Sequence, residues 1–223
     1  MNRIVGLCAL LAVTTGCQVL NESSNSALAD GRYRTGGARH WVEVADDTLY
    51  TAPEAKTTVT TYPPELPPSA TPPTLHLARY SLETGILTVP VKLRAPVGAY
   101  VGQLNPSFNA NLYVGLRREW HTIGYRRTPI RNRWVREDAE WALSLGVFTG
   151  ISQDFINPWN SDPPLEVEYD GIVWQNGSVL LVDYHWLTTG LAIGFDHLTD
   201  GNRQNWVFER RPWLGAVFGF NFN

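Results

Sequence analysis

From residue 85 to the C-terminus, large apolar residues repeatedly alternate with small or polar ones. In the last segment Leu214, Ala216, Phe218, Phe220 and Phe222 fall on one face of an extended strand, and Gly215, Val217, Gly219, Asn221 and Asn223 on the other. Segment 187–196 sets Leu187, Thr189, Leu191, Ile193 and Phe195 against Thr188, Gly190, Ala192, Gly194 and Asp196. In 141–152, Trp141, Leu143, Leu145, Val147, Thr149 and Ile151 oppose Ala142, Ser144, Gly146, Phe148, Gly150 and Ser152. In 108–117, Phe108, Ala110, Leu112, Val114 and Leu116 oppose Asn109, Asn111, Tyr113, Gly115 and Arg117. Residues 85–94 place Leu87, Val89, Val91 and Leu93 against Thr88, Pro90, Lys92 and Arg94. A further strand, apolar but poorly phased, is expected around 171–183.

Alternation alone also describes a soluble β-sandwich. Two features tilt the reading towards a membrane barrel. The less apolar face is small and glycine-rich, where a solvated sheet face carries Lys, Glu, Thr and Arg. Glycine in a strand weakens it unless crowded neighbours require the space, as they do inside a narrow closed barrel. The segments also match the roughly 9–11 residues of a tilted membrane-crossing strand better than the roughly 5–6 of a soluble one. Trp120, Trp141, Trp186, Trp213 and Phe222 lie near segment ends, where aromatic girdles would sit. The expected fold is all-β: an antiparallel up-and-down transmembrane β-barrel of about six to eight strands over residues 77–223.

Composition agrees. Of 223 residues only 17% are charged and 43% are apolar, with 19 glycines, nine Trp, nine Tyr and eight Phe. The aromatic content excludes a disordered charged tail. A net charge of −3 excludes nucleic-acid binding driven by positive charge. After residue 20 no apolar window approaches the length of a spanning helix.

The N-terminus reads as an address. Met1-Asn2-Arg3 precedes the apolar run Ile4–Val13, which ends in Thr14-Thr15-Gly16-Cys17. This resembles the lipobox of bacterial lipoproteins, with Thr14 where Leu is commonest. The resemblance implies removal of residues 1–16, lipidation of Cys17 and, with Gln18 following, sorting to the outer membrane. The other reading of the stretch is an ordinary secretory signal cut after Ala27-Leu28-Ala29. Cys8 and Cys17 are the only cysteines, so a chain cut at Cys17 would hold no free thiol and no disulfide. Residues 17–53 are expected to form a tether and a small β-hairpin module turning at Asp46-Asp47. An isolated hairpin is marginal, so it would have to pack on something. Residues 54–76, dense in Pro and Thr, read as a semi-rigid linker.

The stretches GVFTG…NPWNS (146–161), GLAIGFDHLTDGNRQNW (190–206) and RPWLGAVFGFNFN (211–223) together resemble small bacterial outer-membrane β-barrel proteins. The resemblance implies outer-membrane lipid and the barrel-assembly and lipoprotein-sorting machinery as partners. The final strand is similar to the C-terminal signal of such proteins, although it ends in Asn223 and not in an aromatic residue.

Chemistry is sparse. His40, His76, His121, His185 and His197 form no i,i+4 pair and no HExxH, so their spacing points to no metal site, and no cofactor is expected. Asp196-His197 at a strand end could be half of a catalytic arrangement, but no GxSxG accompanies it, and His197 reads as a solvated loop histidine. Lys92, Arg94, Arg117 and Asp196 fall on inward faces and are expected to form an internal polar network. A selective pore is the sharper alternative for them. Arg126, Arg127, Arg131 and Arg133, with Arg136, mark a basic hairpin around Pro129–Asn132 that could contact anions. The expectation is a non-enzymatic envelope lipoprotein with a structural, adhesive or binding role. A soluble periplasmic lipocalin-like or sandwich lipoprotein holding an apolar ligand is the alternative. A lipid-modifying barrel enzyme stands behind both.

Overall fold

The computed structural model describes residues 28–55, 58–184 and 187–220, the side chains of 219 and 220 excepted. The expected lipidation point Cys17, the residues His185 and Trp186, and the terminal Phe222 and Asn223 lie outside them. The described residues are all-β, with no α-helix. Thirteen strands form one antiparallel sheet: β1 (Gly31–Thr35), β2 (Ala38–Ala45), β3 (Thr48–Pro53), β4 (Thr60–Tyr62), β5 (Glu65–Leu66), β6 (Leu75–Leu87), β7 (Val91–Arg94), β8 (Gln103–Pro106), β9 (Asn109–Arg127), β10 (Trp134–Ile156), β11 (Tyr169–Tyr184), β12 (Leu187–Leu198) and β13 (Pro212–Phe220). The strand order is β4-β3-β2-β1-β6-β9-β10-β11-β12-β13-β7-β8, with β5 laid on β10. As a hydrogen-bonded path this sheet does not close into a barrel.

The long strands carry the alternation that the sequence prescribes. In β9 Asn109, Asn111 and Tyr113 are buried while Leu112, Val114 and Leu116 are exposed, and β10 and β12 repeat the pattern. The strands overrun the expected segments because polar residues continue the same parity beyond the apolar stretch. The poorly phased region becomes the regular strand β11, with Val173, Gln175, Val179, Leu181 and Asp183 inward.

Residues 85–94 are the main departure. Leu87 and Val89 are buried, yet so are Lys92 and Arg94, so the alternation slips by one residue at Pro90 and Val91. Pro90 has no N–H to give to a ladder. The Asn109 side chain stands in for the interrupted ladder: its Oδ1 accepts from Val89 N at 2.8 Å and its Nδ2 donates to Val89 O at 2.7 Å. Before this break β6 pairs with β9; after it β7 pairs with β8 and β13. Towards its start β6 and the end of β13 diverge, leaving a gap beside Glu83, Leu87, Tyr113, Thr188 and Val217.

The inward face is crowded. Leu87, Val89, Tyr113, Phe148, Val179, Leu181, Ala192, Trp213 and Val217 form one apolar cluster. Glycines make room for its rings: a methyl group on Gly146 would run into the Tyr113 ring and the Val114 carbonyl, and one on Gly194 into Trp213. Trp213, expected in a girdle, is therefore an interior residue at 1% exposure.

The N-terminal strands extend the same sheet. The turns Gly36-Gly37 and Asp46-Asp47 both take positive φ, as two-residue hairpins require. The second was expected; the first was equally legible in its Gly-Gly pair. Strand β1 pairs with β6, and Tyr33, Val42, Leu49, Tyr62, Leu75, Leu77 and Ile123 share a core with Leu28. The Pro-rich stretch carries β4 on β3 and β5 on β10. Proline cannot donate, but its carbonyl still accepts: Tyr125 Oη donates to Pro63 O and Arg136 N to Pro64 O, each at 2.9 Å.

Replacing Gly146 by Val should overpack this interior and cost about 1–3 kcal/mol. Gly201→Ala, with open space around it, should stay within about 0.5 kcal/mol. Denaturant midpoints of the two variants check the difference.

Candidate functional site

The interior divides into three layers between the end carrying the loops 95–102, 157–168 and 199–211 and the end carrying β1–β5. Strand parity sets the first layer, near the loops. Lys92 and Arg94 on β7, Asp154 on β10 and Asp196 on β12 all point inward and all are buried. Lys92 Nζ reaches Asp196 Oδ2 at 3.1 Å and Asp154 Oδ2 at 3.6 Å, and it donates to Ser152 Oγ at 3.1 Å. Arg94 donates both terminal nitrogens to the two oxygens of Asp154, each at 2.8 Å, and bonds Asp196 as well. Two cations face two carboxylates, so the layer is neutral. The cations also lie over aromatic rings: Lys92 over Trp213 at 4.9 Å, Arg94 over Trp206 at 5.2 Å and Phe208 at 5.6 Å. Trp206 and Phe208 come from the last loop and close this end with Ile156, Val173 and Leu198.

The apolar cluster around Tyr113, Phe148 and Trp213 is the middle layer and separates the first from the third. The third layer lies towards β1–β5. Arg117 there pairs with Asp183 and lies 3.2 Å from Glu119, 3.2 Å from Glu140 and 3.5 Å from Glu83. Arg79 Nε donates to Glu119 at 2.5 Å, and Ser81 Oγ at 2.8 Å. Glu119, His121 and Glu140 bring their donor atoms within 4.8 Å of one another. The ring of Tyr33 on β1 sits edge-on to His121 with centroids 5.7 Å apart, and Arg79 lies over that same ring at 5.1 Å. Burial pushes the Tyr33 hydroxyl up to about 12.

The expected network Lys92, Arg94, Arg117 and Asp196 is thus divided between two layers. Lys92, Arg94 and Asp196 share one layer with Asp154, which keeps the inward parity of Ser152 two residues past the expected strand end. Glu119 and His121 were legible in the same way, by carrying the parity of Asn109–Arg117 onward. Glu83, Glu140 and Asp183 had no signal beyond parity.

Asp196 and His197 cannot work as a pair, because adjacent strand residues point to opposite faces. Asp196 faces the interior. His197 is partly exposed: its Nδ1 lies 2.5 Å from Glu209 Oε1, while Glu209 Oε2 accepts from Leu198 N. The basic hairpin is engaged within the chain. Arg126 pairs with Glu137, Arg127 bonds Asn132, and Arg131 and Arg133 both reach Glu65 on β5, at 2.7 and 3.3 Å. Arg136 donates to the carbonyls of Asp47 and Tyr62. Arg131, Arg133 and Arg136 tie the hairpin to the N-terminal strands, at the end opposite the three long loops.

No family model, curated protein or solved structure matches the chain.

Removing one carboxylate of the buried quartet strands a cation away from water, so Asp196→Asn should cost about 3–5 kcal/mol. The double variant Lys92→Met/Asp196→Asn should cost less than the sum of its single changes. A double-mutant cycle from denaturant unfolding measures that coupling.

Proposed function

We propose that the chain is an outer-membrane β-barrel lipoprotein of the bacterial envelope, with a structural or binding role and no catalytic one. The observation that carries the reading is the outward apolar belt. Ile86 is 78% exposed, Leu112 70%, Leu191 69% and Leu145 63%, and Leu82, Leu116, Val147, Ile193 and Leu214 continue the surface around the long strands. Left in water, each such side chain forgoes about 1.5–3 kcal/mol of burial. A lipid phase removes that cost. Thr149, Asn176 and Ser178 interrupt the belt.

Aromatics border it at both ends. Tyr80, Trp120, Trp141 and Tyr184 lie towards β1–β5, with Trp120 and Trp141 stacked at 3.9 Å. Phe108, Phe155 and Trp159 lie towards the loops. Trp141 and Phe155 are separated by about 46 Å of strand β10. At the tilt of roughly 45° common in barrels this becomes about 33 Å, a height that suits an apolar band with its flanking girdles.

Strands β6 and β7 together, and β8 and β9 together, act as single bent strands. That gives six membrane strands, the last laid against the first where β13 meets β7. Membrane barrels of a single bacterial chain have even strand numbers. The filled interior favours a plugged barrel over a pore, and over a lipocalin-like cavity for an apolar ligand. Of the two export readings, cleavage at Cys17 is favoured. A cut after Ala29 would remove Leu28 from the N-terminal core and the Ala29 carbonyl that accepts from Tyr33 Oη at 2.7 Å.

The mature protein should fractionate with the outer membrane and show a folded gel band that shifts on boiling. Leu145→Arg should destabilise it in bilayers by about 2–4 kcal/mol. Monodisperse behaviour in detergent-free buffer after removal of residues 1–17 would overturn the proposal.

A further inference from the structure

The third interior layer is unbalanced in charge and contains a buried ring nitrogen with no partner within hydrogen-bond distance. Arg79 and Arg117 supply two positive charges; Glu83, Glu119, Glu140 and Asp183 supply four negative ones, leaving −2 with His121 neutral. The loop-side layer, by contrast, balances to zero. His121 is 2% exposed, and its buried Nε2 makes no hydrogen bond among the described residues. Such a nitrogen costs about 1–3 kcal/mol if nothing meets it. It points to the deficit: Glu119 Oε2 lies 3.6 Å away, too far for a hydrogen bond, and Glu140 is the cross-strand neighbour of His121.

We propose that Glu119, His121 and Glu140 bind a divalent metal ion of the zinc class through His121 Nε2 and one oxygen of each carboxylate. One imidazole with two carboxylates suits a borderline ion, where calcium and magnesium prefer oxygen alone. A dication brings the layer to zero: four positive charges against four negative. Ligand atoms around tetrahedral zinc lie roughly 3.3 Å apart, as bond lengths of about 2.0–2.1 Å require. The present separations of up to 4.8 Å close to that value by side-chain rotation. Packing already orients the two residues that matter most. Tyr33 holds the His121 ring edge-on, and Arg79 and Ser81 hold the Glu119 carboxylate. The site joins β1, β6, β9 and β10, so the metal would clamp the N-terminal hairpin strands over this end of the interior. The proposal stands apart from the membrane reading, since it uses interior geometry alone.

The test uses the mature chain in detergent micelles, stripped with a chelator, with folding checked by circular dichroism. Zinc is titrated calorimetrically and cobalt by its visible absorption. One equivalent of zinc should bind, with magnesium and calcium failing to compete. His121→Gln should weaken zinc by about 100-fold or more, and Glu140→Gln by about 10–100-fold. His76→Ala, an exposed histidine bonded to Thr122, should leave binding unchanged. Absence of stoichiometric zinc binding to the folded wild-type chain overturns the proposal. So does zinc affinity that survives in a folded His121→Gln or Glu140→Gln variant, or that disappears with His76.

Discussion

Four charged side chains with almost no access to water hold the curvature of this sheet. Lys92, Arg94, Asp154 and Asp196 come from three strands that are not all neighbours in the ladder, and each must find its partner across the interior. Burying any one alone would be prohibitive, so the quartet forms only when β7, β10 and β12 face one another. That requirement explains the break between Val89 and Lys92. The alternation must slip by one residue there to turn Lys92 and Arg94 inward after Leu87 and Val89 have already faced that way. Asn109 makes the slip tolerable by offering its amide to the Val89 backbone.

The same geometry inverts the usual distribution of polarity. Charges and amides sit inside, between apolar layers, while leucines and valines sit outside. The inside is too narrow for large residues at every position, so Tyr113, Phe148 and Trp213 lie against glycines of adjacent strands. The layer near β1–β5 alone keeps excess negative charge, half-exposed at Glu83 and Glu140. There the buried His121 Nε2 has no partner within hydrogen-bond distance among the described residues, and the proposed cation would meet it.

Parity made much of the array legible. The inward set Asn109, Asn111, Tyr113 and Gly115 and the outward set Leu112, Val114 and Leu116 follow from a period of two, because each residue's face depends only on its neighbours in the chain. Parity also places Asp154, Glu119 and His121, once the strands are carried past their apolar cores. It fails at residues 85–94, where the slip is imposed by partners on other strands. Proline density misleads at 60–66, since carbonyls can accept where nitrogens cannot donate. Position near a strand end misleads for Trp213, because a ring turns inward when glycines such as Gly194 leave a space for it.

By itself the sequence determined the all-β class, the faces of the long strands after residue 108, and the hairpin at Asp46-Asp47. These are local properties, set by side-chain alternation and by residues that tolerate positive φ. Only the tertiary structure decided which charges meet. It divided Arg117 from Lys92, Arg94 and Asp196, turned His197 away from Asp196 to Glu209, and gathered Glu119, His121 and Glu140 around one point. Those outcomes depend on the register between strands distant in the chain, and register is chosen by the packing of the whole interior, not by any segment alone.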